Sequence, residues 1–143
     1  MKAYADEEMV RNALGDDHYD EMSHPPHVAI DASHPLYKNV ILELREIFDP
    51  EIPVNIYELG LIYEVLFSDV KDNEGEMIGI DISVKMTLTS PACPVAQEMP
   101  GWVQAGLFKI ETVRHVDVEI VWDPTWDPSM MAETAKLQLN MFT

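Results

Sequence analysis

The sequence predicts an α+β domain of two layers: a small mixed three-stranded sheet with helices packed on it, in the order α-β-β-α-β-α. Three observations carry that prediction. Ile78, Ile80, Ile82, Val84, Met86 and Leu88 alternate with Gly79, Asp81, Ser83, Lys85 and Thr87, the period of two of a half-buried strand. Val95, Met99, Trp102, Val103, Leu107 and Ile110 then recur at helical spacing. Val116, Val118, Ile120 and Trp122 alternate again, and strand, helix and strand in succession predict a right-handed crossover between parallel strands.

Residues 1–33 read as an acidic N-terminal arm, mostly extended or disordered, with a short helix over residues 5–14. Asp6, Glu7, Glu8, Asp16, Asp17, Asp20, Glu21 and Asp31 face only Lys2 and Arg11, and apolar residues are sparse after Leu14. Deleting residues 1–30 is on this reading expected to leave the domain folded. The spacing of His18, His24, His27 and His34 fits no compact ligand pattern, so they read as solvated. The compact domain is placed at residues 34–143. Ser33 and Pro35 suit a helix start, and Val40, Ile41, Leu44, Ile47 and Phe48 mark its buried stripe. Asp49-Pro50 ends that helix, because proline disfavours helical backbone in the residue before it.

A rigid loop follows to Gly60, then a strand over Leu61 to Phe67 and a turn built on Asp72-Asn73-Glu74-Gly75. The first two strands therefore form an antiparallel hairpin. The second helix spans Pro94 to Glu111, with Pro100-Gly101 marking a kink or a late start. After the third strand, Asp127 and Pro128 open a last short helix with Met131, Ala135 and Leu139 on its apolar side.

At 143 residues and 47% apolar content the chain is one globular domain in size. No apolar run approaches the roughly 18 residues that span a bilayer, and the start lacks a signal-peptide pattern. A net charge of −17 argues against nucleic acid and anionic membrane as partners. One cysteine forms no internal disulfide, and the expected location is cytoplasmic.

That cysteine, Cys93, lies in Thr87-Leu88-Thr89-Ser90-Pro91-Ala92-Cys93-Pro94, where the strand pattern gives way to the helical one. Thr89 and Ser90 hydroxyls are expected to cap the helix start, leaving Cys93 near unpaired amides that raise its thiolate fraction. The alternative is a small buried hydrophobe.

Three segments now stand together: Asp49-Pro50-Glu51-Ile52-Pro53 through Tyr63, the Thr87 to Pro94 stretch, and Val118-Glu119-Ile120-Val121-Trp122-Asp123-Pro124. In this order they resemble the metal–sulfur cluster assembly factor family. Cys93-Pro94-Val95-Ala96-Gln97-Glu98-Met99-Pro100-Gly101-Trp102 and the Trp126 to Met131 ending most resemble its SufT branch. The resemblance implies an accessory or adaptor role in iron–sulfur cluster assembly, without enzymatic turnover. It implies a pocket of Asp49, Glu51, Thr89, Ser90 and Cys93, with Cys93 as the metal ligand. Ser90 stands where many members carry threonine. The implied partners are scaffold, carrier or client apoproteins, and a homodimer is open to it. One thiolate per chain falls short of the four ligands a cluster ordinarily takes. No cofactor is therefore expected to be stably bound, and contact with iron or a cluster is transient.

Two readings compete. A thiol enzyme with Cys93 as nucleophile needs a base in contact. His115 is the only histidine after His34, and a parallel strand pair puts it at the opposite end from Cys93. A scaffolding module would use Trp122, Trp126, Met130 and Met131 as an interface anchor.

Overall fold

Tyr37–Arg45 forms helix α1. Its Val40, Ile41 and Leu44 share one face and are buried, while Lys38, Leu42 and Glu46 are exposed. The computed structural model describes residues 22–90, 94 and 96–139. The short helix expected over residues 5–14, His18 and Cys93 lie outside the described residues. The helix stops at Arg45, earlier than the stripe implied. Phe48 is consequently not on its buried face: it is 50% exposed and forms an antiparallel bridge with Asn55.

Strands β2 (Ile62–Lys71) and β3 (Met77–Met86) make the expected antiparallel hairpin. Its turn is held by Asp72, whose Oδ1 accepts from the backbone N–H groups of Glu74 and Glu76. Ile80, Ile82, Val84 and Met86 of β3 and the following Leu88 are buried on one face as the alternation required. Ile78 is the exception at 43% exposure. It precedes Ile80, where pairing with the next strand begins, and so lies beyond the part of the sheet that the core covers.

Helix α2 (Met99–Leu107) leads into β4 (Val113–Ile120), which pairs with β3 in parallel. The start of α2 is late. A 3₁₀ turn over Ala96–Glu98 precedes it, and Pro100 sits in its first turn, where a missing N–H costs nothing. Glu98 occupies the N-cap of α2 and makes no side-chain capping bond; the amides directly after Ser90, which the expected capping concerns, lie outside the described residues. Trp122 also departs from expectation. β4 ends at Ile120, and Trp122 is 47% exposed.

The sheet has four strands rather than three, in the order β1 (Ala29–Ile30), β2, β3 and β4. The added strand, β1, pairs with Glu64 and Val65 of β2 in parallel. It comes from the stretch assigned to the arm, whose described part rests on the body. Ser23 is buried and its hydroxyl accepts from Arg45. The described histidines of this region, His24, His27 and His34, are not solvated. His24 Nδ1 and the Tyr57 hydroxyl share a hydrogen bond of 2.5 Å, and His27 Nε2 lies 3.0 Å from the Gly60 carbonyl oxygen. His34 stacks on Phe67 with ring centroids 3.9 Å apart. Burial pushes the Tyr57 hydroxyl well above its usual value, so it stays protonated. Deleting residues 1–30 is accordingly expected to lower the thermal midpoint, since it removes these bonds together with β1. An unchanged midpoint would contradict that.

The last helix, α3 (Glu133–Gln138), follows a 3₁₀ turn over Pro128–Met130 that Asp127 caps by accepting from Ser129 N–H at 2.8 Å. The segment seats against Gly60, whose φ is +88°. A Cβ there would run into the Met130 carbonyl oxygen. Gly60→Ala is therefore expected to cost about 2 kcal/mol, from left-handed strain and displacement of the tail. Urea unfolding reads this directly. No helix among the described residues is long and apolar enough to cross a membrane.

Candidate functional site

After α1 the chain doubles back. Ile56 N–H donates to Ile47 O at 2.8 Å, and Asp49 N–H donates to Val54 O at 3.3 Å. Pro50 and Pro53 fix the backbone between these closing bonds and offer no N–H that would need a partner. The Asp49 side chain turns inward and is 5% exposed. Its Oδ1 accepts from Glu51 N–H at 2.8 Å and Ile52 N–H at 2.9 Å, an Asx-type turn. Its Oδ2 accepts from the Thr89 hydroxyl at 3.3 Å.

That last bond spans forty positions of sequence, and the sheet explains it. Beyond β3 the chain stays pinned on both sides. Thr87 N–H donates to Leu61 O at 2.9 Å, and Val121 N–H donates to Met86 O at 2.8 Å. Thr89 and Ser90 thus emerge at the carboxyl ends of the parallel strands β3 and β4, where a crossover frees its loop from the ladder. The Asp49 loop closes over the same end.

Of the five residues singled out, the structure brings Asp49 and Thr89 into contact, with Ser90 half-buried beside them. Glu51 is exposed, and its bond to Asp49 runs through its backbone N–H. Cys93 lies outside the described residues. His115 lies near the start of β4, the end away from Thr89, where it is paired with Asp81 in the middle of β3, and it is bonded to Asp117 at 3.1 Å. The proposed aromatic anchor divides. Trp126 donates from Nε1 to Leu59 O at 2.8 Å and Met131 is buried, so both close the core. Met130 is half-buried and accepts from the Tyr63 hydroxyl, while Trp122 remains exposed.

A group beside the site had no role in the sequence reading. Glu58 is fully buried. Its Oε2 accepts from Asn55 Nδ2 at 2.9 Å and lies 3.6 Å from Arg45 Nε. Its Oε1 accepts from the Thr134 hydroxyl and from Gln138 Nε2. Its backbone joins in, with Glu58 N–H donating to Asn55 Oδ1 at 2.9 Å and Ala132 N–H to Glu58 O at 2.8 Å. A buried carboxylate requires such partners. The signal was present in the sequence: one acid inside the run Ile56-Tyr57-Glu58-Leu59-Gly60-Leu61-Ile62.

Comparison with known proteins gives the family of the chain. Residues 38–120 match the family described as Iron-sulfur cluster assembly protein. The chain is 36% identical over 105 residues to an Fe-S protein maturation auxiliary factor of Porphyromonas gingivalis, covering 72% of this chain and 90% of that protein. It is 35% identical over 106 residues to the Fe-S protein maturation auxiliary factor YitW of Bacillus subtilis, covering 74% and 95%. The corresponding figures for SufT of Staphylococcus aureus are 36% over 95 residues, 66% and 98%. Among solved structures, a domain of unknown function (DUF59) from Bacillus anthracis superposes with a TM-score of 0.58 at 30% identity, covering 73% of this chain and 91% of that one. The stretch matched by the family includes both Asp49 and Thr89, and the chain belongs to the iron–sulfur cluster assembly protein family.

Proposed function

We propose that this protein is an accessory factor in iron–sulfur cluster assembly or delivery, and that it meets its cargo at the end of the sheet where the Asp49 loop joins the Thr89–Cys93 segment. The observation that carries the reading is the Asp49–Thr89 hydrogen bond, which unites two of the segments on which the resemblance rests. The relatives' names as maturation auxiliary factors support the same role.

The chemistry follows from residue types. A Cys93 thiolate is the soft donor that iron and clusters prefer, and carboxylate oxygen from Asp49 or Glu51 is a harder donor beside it. Thr89 and Ser90 hydroxyls supply hydrogen bonds. With one cysteine in the chain, cluster cargo would be shared with a scaffold, carrier or client apoprotein, or with a second copy. The handling is transient and non-enzymatic. Placement of His115 near the start of β4, at the end away from Thr89, supports this over a cysteine–histidine enzyme, because a general base needs contact with its nucleophile.

Anaerobic reconstitution with iron and sulfide, read by absorption and native mass, tests direct handling. Wild type is expected to show a labile cluster band that Cys93→Ala lacks. Absence of the band from both would leave an adaptor that touches no cargo, built on the exposed surface around Trp122.

A further inference from the structure

We infer that Glu58 is a positioning residue for the cargo site, holding the Asp49 carboxylate in place through Asn55. The inference rests on the reading of Asp49 as part of that site.

The path has few links: side-chain hydrogen bonds join Glu58 to Asn55, and a backbone bridge joins Asn55 to the residue before Asp49. The Glu58 carboxylate accepts from Asn55 Nδ2, and Asn55 Oδ1 accepts in return from Glu58 N–H, both at 2.9 Å. The Asn55 side chain is thereby held at two points. Its backbone forms the bridge with Phe48, next to Asp49 in the chain. The flanking bonds, Ile56 to Ile47 and Asp49 to Val54, close the loop on either side of that bridge. Asp49 then has no freedom to swing, and both its oxygens are engaged, Oδ1 by two loop amides and Oδ2 by Thr89.

Glu58 also reaches away from the site. Thr134 and Gln138 bring α3 to one carboxylate oxygen, and Arg45 brings α1 to the other. A buried carboxylate is not needed to fill this space, since an apolar side chain of similar volume would pack there without desolvating a charge. What the carboxylate adds is direction: two fixed acceptor oxygens locate Asn55 relative to two helices. A site loop is held to sub-ångström tolerance by such supporting bonds.

The test compares Glu58→Gln and Asn55→Ala with Val116→Ala, a core substitution in β4 away from this network. The readout is hydrogen exchange of the Glu51 and Ile52 amides, which donate to Asp49. Exchange is expected to quicken about tenfold in Glu58→Gln and Asn55→Ala through local opening. It should stay at the wild-type rate in Val116→Ala measured at an equal margin below its thermal midpoint. Unchanged amides in both network variants, or equal quickening in Val116→Ala, would overturn the inference. Asn55→Ala leaves the other Glu58 partners in place, so it reads the link even if Glu58→Gln folds poorly. Iron–sulfur enzyme activity in cells carrying Asp49→Ala at wild-type abundance separates the two layers. Quickened amides with full activity in Asp49→Ala would overturn the site reading while the geometric link stands. Unmoved amides with an Asp49→Ala defect would overturn the link alone.

Discussion

Glu58→Ala is expected to cost about 3–5 kcal/mol of folding free energy, the loss typical of breaking a buried ion pair from one side. The alanine removes the only carboxylate shown bonded to Asn55, Thr134 and Gln138 and near Arg45. Asn55 and Thr134 are themselves buried, so water cannot readily replace the acceptor. Arg45 keeps Ser23 and its position over the Tyr57 ring, 5.6 Å from the centroid, which softens its share of the loss. Against a total stability of roughly 5–15 kcal/mol for a domain, this brings the protein near its unfolding threshold. Urea unfolding checks it: the midpoint should fall steeply with the slope preserved. A loss under about 1 kcal/mol, the range of an exposed pair, would mean that the network contributes little.

Much of the fold was legible because its signals are local. Val40, Ile41 and Leu44 at helical spacing marked α1, and the alternation from Ile80 to Leu88 marked β3 together with its buried face. Strand, helix and strand in succession predicted the parallel β3–β4 pair. What was missed depends on partners distant in sequence. Strand β1 has two residues, too few to show a period, and it is held by its pairing with β2 and by neighbours such as Ser23 and His27. The histidines read as solvated because an imidazole is polar in sequence, yet His24 and His27 meet the rings of Tyr57 and Tyr63 edge to face and His34 stacks on Phe67. The late start of α2 was one of two readings left open by Pro100-Gly101. The Thr89 hydroxyl donates to Asp49 Oδ2 across the loop. That pairing was visible only through the family resemblance, since no local rule joins residues so far apart. Glu58 carried a signal that went unused, an acid within an apolar run, which burial converts into a bonded network.

The second large effect concerns function. Cys93→Ser is expected to preserve the fold, because oxygen is smaller than sulfur, while replacing a soft donor with a hydroxyl that binds iron and sulfide cargo poorly. Asp49→Ala should give a similar but weaker defect, since Asp49 orients the Thr89 segment rather than supplying the soft ligand. The most direct measurement is complementation of a deletion strain, scored by the activity of a 4Fe–4S dehydratase under high demand for iron, with protein levels checked by blot. Cys93→Ser at wild-type abundance is predicted to leave dehydratase activity near that of the deletion strain, with Asp49→Ala between it and wild type. Full rescue by Cys93→Ser at normal abundance would contradict handling of cluster cargo at this site.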